Sequence, residues 1–142
     1  SANTDVHSST AQDYRLRGYD RPMTLILAKE KTLEAMKQAL LAHRTIAYSF
    51  DQMAGEESLL KALFNACITA EFVRVDSKGR KVFNLTNMSS LPFAVSISGS
   101  NPAWIEPFST VPFKVESDTV ELTVMNMWCG EDTHPEVVIE VK

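Results

Sequence analysis

The hydrophobic positions change period along the chain, and those changes divide it. Residues 1–20 are polar and lack a clear repeat, with Tyr14, Leu16 and Tyr19 as side chains able to pin the segment to a surface. Residues 23–28 form an apolar run, which suits a short strand covered on both faces. Pro22 precedes it, where a missing amide donor does least harm. Residues 32–43 then take helical spacing. Leu33, Met36 and Leu40 share a face with Ala39 and Leu41 at its edges, so this stripe is expected to face the core. Thr32 is placed to cap the helix, and Glu34 favours its positive end. Residues 45–50 return to β-branched and aromatic types, predicting a strand. Residues 51–55 read as a connection. A second helix is predicted over 56–70, with Leu59, Leu60, Leu63, Phe64 and Cys67 as a wide apolar stripe.

From about Glu71 the period shortens to two. Phe72 and Val75 belong to a predicted strand ending at the turn Asp76-Ser-Lys-Gly-Arg80. A strand over 81–86 carries Phe83 and Leu85 on one face, and 87–90 read as a turn. Alternation is then regular. Phe93, Val95 and Ile97 oppose Ala94, Ser96 and Ser98, and Val111, Phe113 and Val115 oppose Pro112, Lys114 and Glu116. Val120, Leu122 and Val124, then Val137, Ile139 and Val141, repeat the pattern. One wet and one dry face per strand is the mark of antiparallel sheets packed as a sandwich. About seven short strands in this span read as immunoglobulin-like. The cysteine pair that joins the sheets of antibody domains is absent, so the likeness is architectural. Pro112 argues for an edge strand or a bulge at its position. The predicted fold class is therefore α+β: a small helical and strand N-terminal subdomain, residues 1–69, followed by an immunoglobulin-like antiparallel β-sandwich, residues 70–142.

Composition narrows the function classes. Hydrophobic residues make up 44% and charged residues 23% of the 142, the balance of an ordinary globular protein. The net charge is −4 and no dense basic cluster occurs, which argues against nucleic acid as a partner. No apolar run approaches the ~20 residues of a membrane-spanning helix. Two cysteines, Cys67 and Cys129, are too few for a disulfide framework, and Cys67 reads as a buried free thiol. The chain opens on Ser1-Ala2 instead of Met, from which we expect a piece of a longer gene product.

Candidate chemistry is sparse. Asp5-x-His7 places a carboxylate and an imidazole on one side of an extended segment, able to reach one divalent ion. Two ligands fall short of the three that a catalytic zinc takes from its protein. His43 sits at the expected C-terminal end of a helix, where a protonated imidazole suits the dipole. Arg15, Arg17 and Arg21 beside Tyr14 and Tyr19 could hold an anion, although solvated or paired arginines are the plainer reading. Cys129, Glu131, Asp132 and His134 are potential ligands in a spacing that matches no strong zinc motif, so a turn is the better reading. Asn84-x-Thr86 and Asn87-x-Ser89 are sequons at positions where asparagine also serves a turn. Trp104 and Trp128 could stack sugars if exposed together, but more often such residues fill a core or its rim.

The runs Asn3-Thr-Asp-Val-His7, Arg21-Pro-Met-Thr-Leu-Ile-Leu-Ala-Lys-Glu30, Glu34-Ala-Met-Lys-Gln-Ala-Leu40 and Arg44-Thr-Ile-Ala47 carry a resemblance. The chain resembles the C-terminal part of PHP-domain proteins, the polymerase-and-histidinol-phosphatase superfamily of metal-dependent phosphoesterases. It is similar to a bacterial branch common in gut Bacteroidetes that appends a small β-domain after the catalytic barrel. The likeness covers residues 3 to about 70 well and the sandwich more loosely. It implies that Asp5 and His7 match a late Asp-x-His metal motif. The family's early His-x-His pair has no counterpart, since histidine occurs only at His7, His43 and His134.

The resemblance implies a non-catalytic C-terminal fragment of a phosphoesterase, serving as an accessory and packing domain. The fragment would hold no cofactor, and the parent would use divalent metal ions of the manganese or zinc type through Asp5, His7 and ligands elsewhere. The implied partner is the missing N-terminal catalytic barrel, with a homo-oligomer as a further possibility. The implied location is bacterial, periplasmic or secreted, with the cytoplasm left open. The alternative is a stand-alone immunoglobulin-like binding module for carbohydrate or protein.

Overall fold

The computed structural model describes residues 9–14, 16 and 18–140. Its elements run α1 (Thr10–Asp13), β1 (Met23–Ile26), α2 (Leu33–Leu41), β2 (Thr45–Ser49), β3 (Gln52–Ala54) and α3 (Glu57–Cys67). They continue as β4 (Ile68–Val75), β5 (Lys81–Asn87), β6 (Phe93–Ile97), β7 (Ala103–Ile105), β8 (Thr110–Val115), β9 (Thr119–Val124), β10 (Met127–Trp128) and β11 (Glu136–Glu140). The strands form three sheets, ordered β1-β2-β3-β10, β11-β9-β6-β7 and β4-β5-β8. The fold is thus mostly β, largely antiparallel, with two longer helices. No helix among the described residues is long and apolar enough to cross a membrane.

The N-terminal elements form where the periodicity predicts them, but β1, expected to be covered on both faces, is an edge strand with no fully buried residue and with Ile26 exposed. Thr32 caps α2, its Oγ1 accepting from the Ala35 amide at 3.2 Å. Residues 50–55 are not a plain connection. Ser49 pairs with Gln52 across a two-residue turn, and Phe50 and Asp51 both take positive φ, the backbone that a tight hairpin of this twist requires. β3 follows and pairs with β2 on one side and, in parallel, with β10 on the other, Met53 facing Met127. The first sheet therefore takes strands from both sides of residue 69.

α3 buries Leu60 and Phe64 as its stripe predicts, and the Phe64 ring meets Phe93 edge-on at 5.4 Å. The helix stops at Cys67, sooner than expected, because Ile68 turns to extended backbone and pairs with Asn87. β-branched Ile68 and Thr69 fit a strand better than a helix end. Side chains of Ile46, Tyr48 and Met53, of Leu60 and Phe64, of Phe83 and Leu85, and of Phe93, Leu122 and Val124 join one buried cluster. The core is thus continuous from the first sheet through the other two.

Two faces differ from the alternation. Ala94 and Ser96, expected on a wet face, are buried. β6 lies between β7 and β9, and local turns fold over its second face: Asn126 Oδ1 accepts from the Ala94 amide at 2.9 Å, and the Ser96 hydroxyl donates to the Ser100 carbonyl at 2.7 Å. The second difference is in α2, where Ala39 is fully buried while Leu33, Met36, Leu40 and Leu41 are exposed. The stripe expected to meet the core lies to its side and stays largely in solvent. Pro112 sits on β8, an edge strand, opposite Asn84.

Candidate functional site

The hairpin turn at Phe50 and Asp51 anchors the most distinctive cleft. Tyr48, buried on β2, donates its hydroxyl to Asp51 Oδ1 at 2.7 Å. Burial pushes the Tyr48 phenol well above its ordinary value, and the hydrogen bond and charge of Asp51 add to the shift. The Asp51 carbonyl accepts from Asn126 Nδ2 at 2.8 Å, and the same amide donates to the Pro92 carbonyl at 3.0 Å. Asn126, itself buried, thus ties the N-terminal hairpin to the loop ahead of β6.

Around this frame lies a cleft of about 340 Å³ lined by Tyr19, Asp20, Tyr48, Asp51, Ser90 and Glu106, among others. Tyr14 and Tyr19 pack their rings on Phe50, with centroids 5.8 and 5.2 Å away. These two tyrosines anchor the N-terminal segment as expected, while Leu16 stays exposed. Phe50 itself is half exposed. Three carboxylates beside aromatic rings suit a ligand rich in hydroxyl donors. Tyr48 keeps its proton in this pair, since burial and the neighbouring Asp51 carboxylate both disfavour the phenolate.

A second opening, about 540 Å³, lies among the turns at the other end of the strands, with Arg80, Ser98, Lys114, Glu116 and Glu121 on its walls. Arg80 is engaged there. Its Nε and an Nη donate to Asp76 Oδ2 at 3.0 and 2.8 Å. That bond, helped by the Arg80 and Lys78 amides, lowers the Asp76 carboxyl from 3.8 to about 2. Gly79, with φ of 79°, lets the predicted 76–80 turn close.

The sequence-derived candidates fare unequally. Asp5, His7, Arg15 and Arg17 lie outside the described residues. His43 follows α2 in left-handed backbone, φ 54°, closing a C-terminal cap. Cys129, Glu131, Asp132 and His134 form a tight turn: Cys129 N–H donates to the Thr133 carbonyl at 2.9 Å, and His134 Nδ1 is 2.7 Å from the Met127 carbonyl. Among the described residues no three His, Cys, Asp or Glu are grouped to hold a metal ion. Trp128 donates Nε1 to Gln52 at 2.8 Å and packs on His134, whereas Trp104 sits on β7 of another sheet, so the two do not form a platform on one strand pair. Asn87 is fully buried. Its Nδ2 donates to the Leu91, Ile105 and Glu106 carbonyls, so that amide is structural and not an open sequon. The roles of Asn126 and Asp51 carried no signal in the sequence beyond turn-forming residue types.

No protein-family model matches the chain, and no curated protein matches it. Among solved structures, it is similar to a two-domain protein from Bacteroides vulgatus ATCC 8482 that contains a predicted PHP-like metal-dependent phosphoesterase. The TM-score is 0.82 at 22% identity, over 98% of this chain and 44% of that one. The two share a fold across nearly all of the present chain, which spans less than half the length of that protein.

Proposed function

We propose that this chain is a non-catalytic accessory region of a PHP-type metal-dependent phosphoesterase. The observation that carries the reading is the fold likeness over 98% of the chain to part of a two-domain protein of that description. In this reading residues 1–69 close the catalytic domain and residues 70–142 form the appended sandwich, the two joined by the β3–β10 pairing and a shared core. The strand orders β4-β5-β8 and β11-β9-β6-β7 support immunoglobulin-like connectivity for the latter, three strands facing four.

Asp5 and His7 serve as metal ligands only in the whole protein, since two ligands do not complete a catalytic site. A manganese or zinc ion there would supply Lewis-acid chemistry at phosphorus. The described residues have no part in that step; they pack and present a surface. The test compares this chain with its full open reading frame on an activated phosphodiester, with manganese or zinc added. Turnover is expected from the full protein alone, and Asp5→Ala with His7→Ala should reduce it at least about a hundredfold. Robust turnover by residues 1–142, or a full protein indifferent to both substitutions, would overturn the proposal.

One observation favours a second reading, a carbohydrate-binding module. The cleft at Asp51 joins the Asp20 and Glu106 carboxylates with the Tyr19 ring, which packs on the half-exposed Phe50. Glycan binding that Asp51→Ala abolishes, in a gene lacking an upstream hydrolase, would place this reading first.

A further inference from the structure

α2 is built inside out. Its nine residues turn a narrow stripe of alanines inward, with Ala39 fully buried and Ala35 half-buried. Its large apolar side chains lie beside or beyond that stripe and stay in part solvent-exposed: Leu33 is 70% exposed, Met36 41%, Leu40 48% and Leu41 82%. Leu33, Met36 and Leu40 fall at i, i+3 and i+7 and so form one continuous strip. A surface helix ordinarily does the reverse, burying its large apolar side chains and showing its polar ones. Lys31, Glu34, Lys37 and Gln38 flank the strip with charges of both signs, the polar rim that surrounds an apolar contact. A contiguous apolar strip of this kind marks a surface that another surface covers.

Residues 1–8 and 141–142 are poor in apolar side chains, with Ala2 and Val6 in the first stretch and one valine in the second. A second copy is a poor occupant. A nine-residue helix is ~14 Å long, and two such strips face to face fall well below the about 1,200 Å² that a stable dimer buries. A domain in the same chain needs far less, because tethering holds the two surfaces at millimolar effective concentration. The Bacteroides vulgatus protein has such a domain, with more than half of its length outside the matched part.

We infer that the outer face of α2, within the residues proposed to close the catalytic domain, packs on an apolar patch of the upstream part of that domain in the whole phosphoesterase. The inference rests on the function proposed above and assigns its packing surface. α2 is then the contact between the two parts, with Ala35 and Ala39 holding the helix to its own sheet and the leucines holding the partner.

The experiment uses the full open reading frame, with a benzophenone amino acid in place of Met36. Irradiation should yield cross-links within one chain, from position 36 to peptides of the upstream hydrolase domain. Cross-links between two copies at position 36, or none to the upstream domain, would overturn the inference while leaving the proposed function standing. A reading frame with no hydrolase domain would overturn both. Leu40→Asp in the full protein provides a second readout, since its site is half exposed in the region itself. Amide exchange over residues 33–41 should accelerate at least tenfold, with exchange over β5, β6 and β9 unchanged. Unaltered exchange in α2 would count against docking.

Discussion

Tyr48 illustrates how single side chains are committed to the hairpin. Its buried phenol favours the neutral form, and Asp51 reinforces that by accepting its hydrogen bond. The folded state therefore holds this proton more tightly than the unfolded chain does. The resulting stability is complete below the ordinary tyrosine range near pH 10 and is lost as pH rises through the higher folded value. Urea unfolding between about pH 8 and about pH 11 should show a steeper decline for the native protein than for Tyr48→Phe. The variant should cost about 1 kcal/mol at neutral pH for the lost hydrogen bond. Parallel pH profiles would refute this account. The pair was not legible in the sequence, since it depends on Phe50 adopting left-handed backbone, a choice its side chain disfavours. The Asp76 turn was legible, because aspartate followed by glycine before a strand carries its own local hydrogen bonds.

At the scale of elements, α2 shows what periodicity tells and what it omits. The helix and its Thr32 cap were readable, as both depend on neighbours a few residues away. The face was misread, because spacing says where apolar side chains gather and not what lies against them. The C-terminal cap adds a further point. The His43 amide donates to Leu40 at 3.1 Å and the Arg44 amide to Ala39 at 2.9 Å, with His43 left-handed between them. That position ordinarily belongs to glycine. His43→Gly should raise stability by about 0.5–1 kcal/mol, relief of the left-handed strain outweighing the added chain entropy. Thermal unfolding checks it; an unchanged or lower midpoint would show that the imidazole makes an offsetting contribution. β7 and β10 escaped sequence reading for another reason: two or three residues are too short to display alternation, and Met127-Trp128 becomes a strand only by lying beside β3.

For the whole molecule, the junction beneath the cleft is the point of greatest leverage. Asn126 bridges the Asp51 carbonyl, the Pro92 carbonyl and the Ala94 amide, all with its own buried side chain. Asn126→Ala leaves those groups without their partner, so a cost of about 2–4 kcal/mol is expected, read by chemical denaturation. A loss under about 0.5 kcal/mol would show that the junction re-forms without it. The broad pattern of helices followed by alternating strands was readable from the chain, but this junction was not, since its partners lie up to 75 residues apart. The parallel pairing of β3 with β10 has a consequence for how the chain is made. The ribosome delivers β1, β2 and β3 first, and their sheet stays one strand short until residues 127–128 emerge. The early strands thus wait with an open edge while the later ones fold, and closing so long a loop is entropically slow. Refolding of the first sheet should therefore be the last event, and the nascent chain is most exposed to aggregation in that interval.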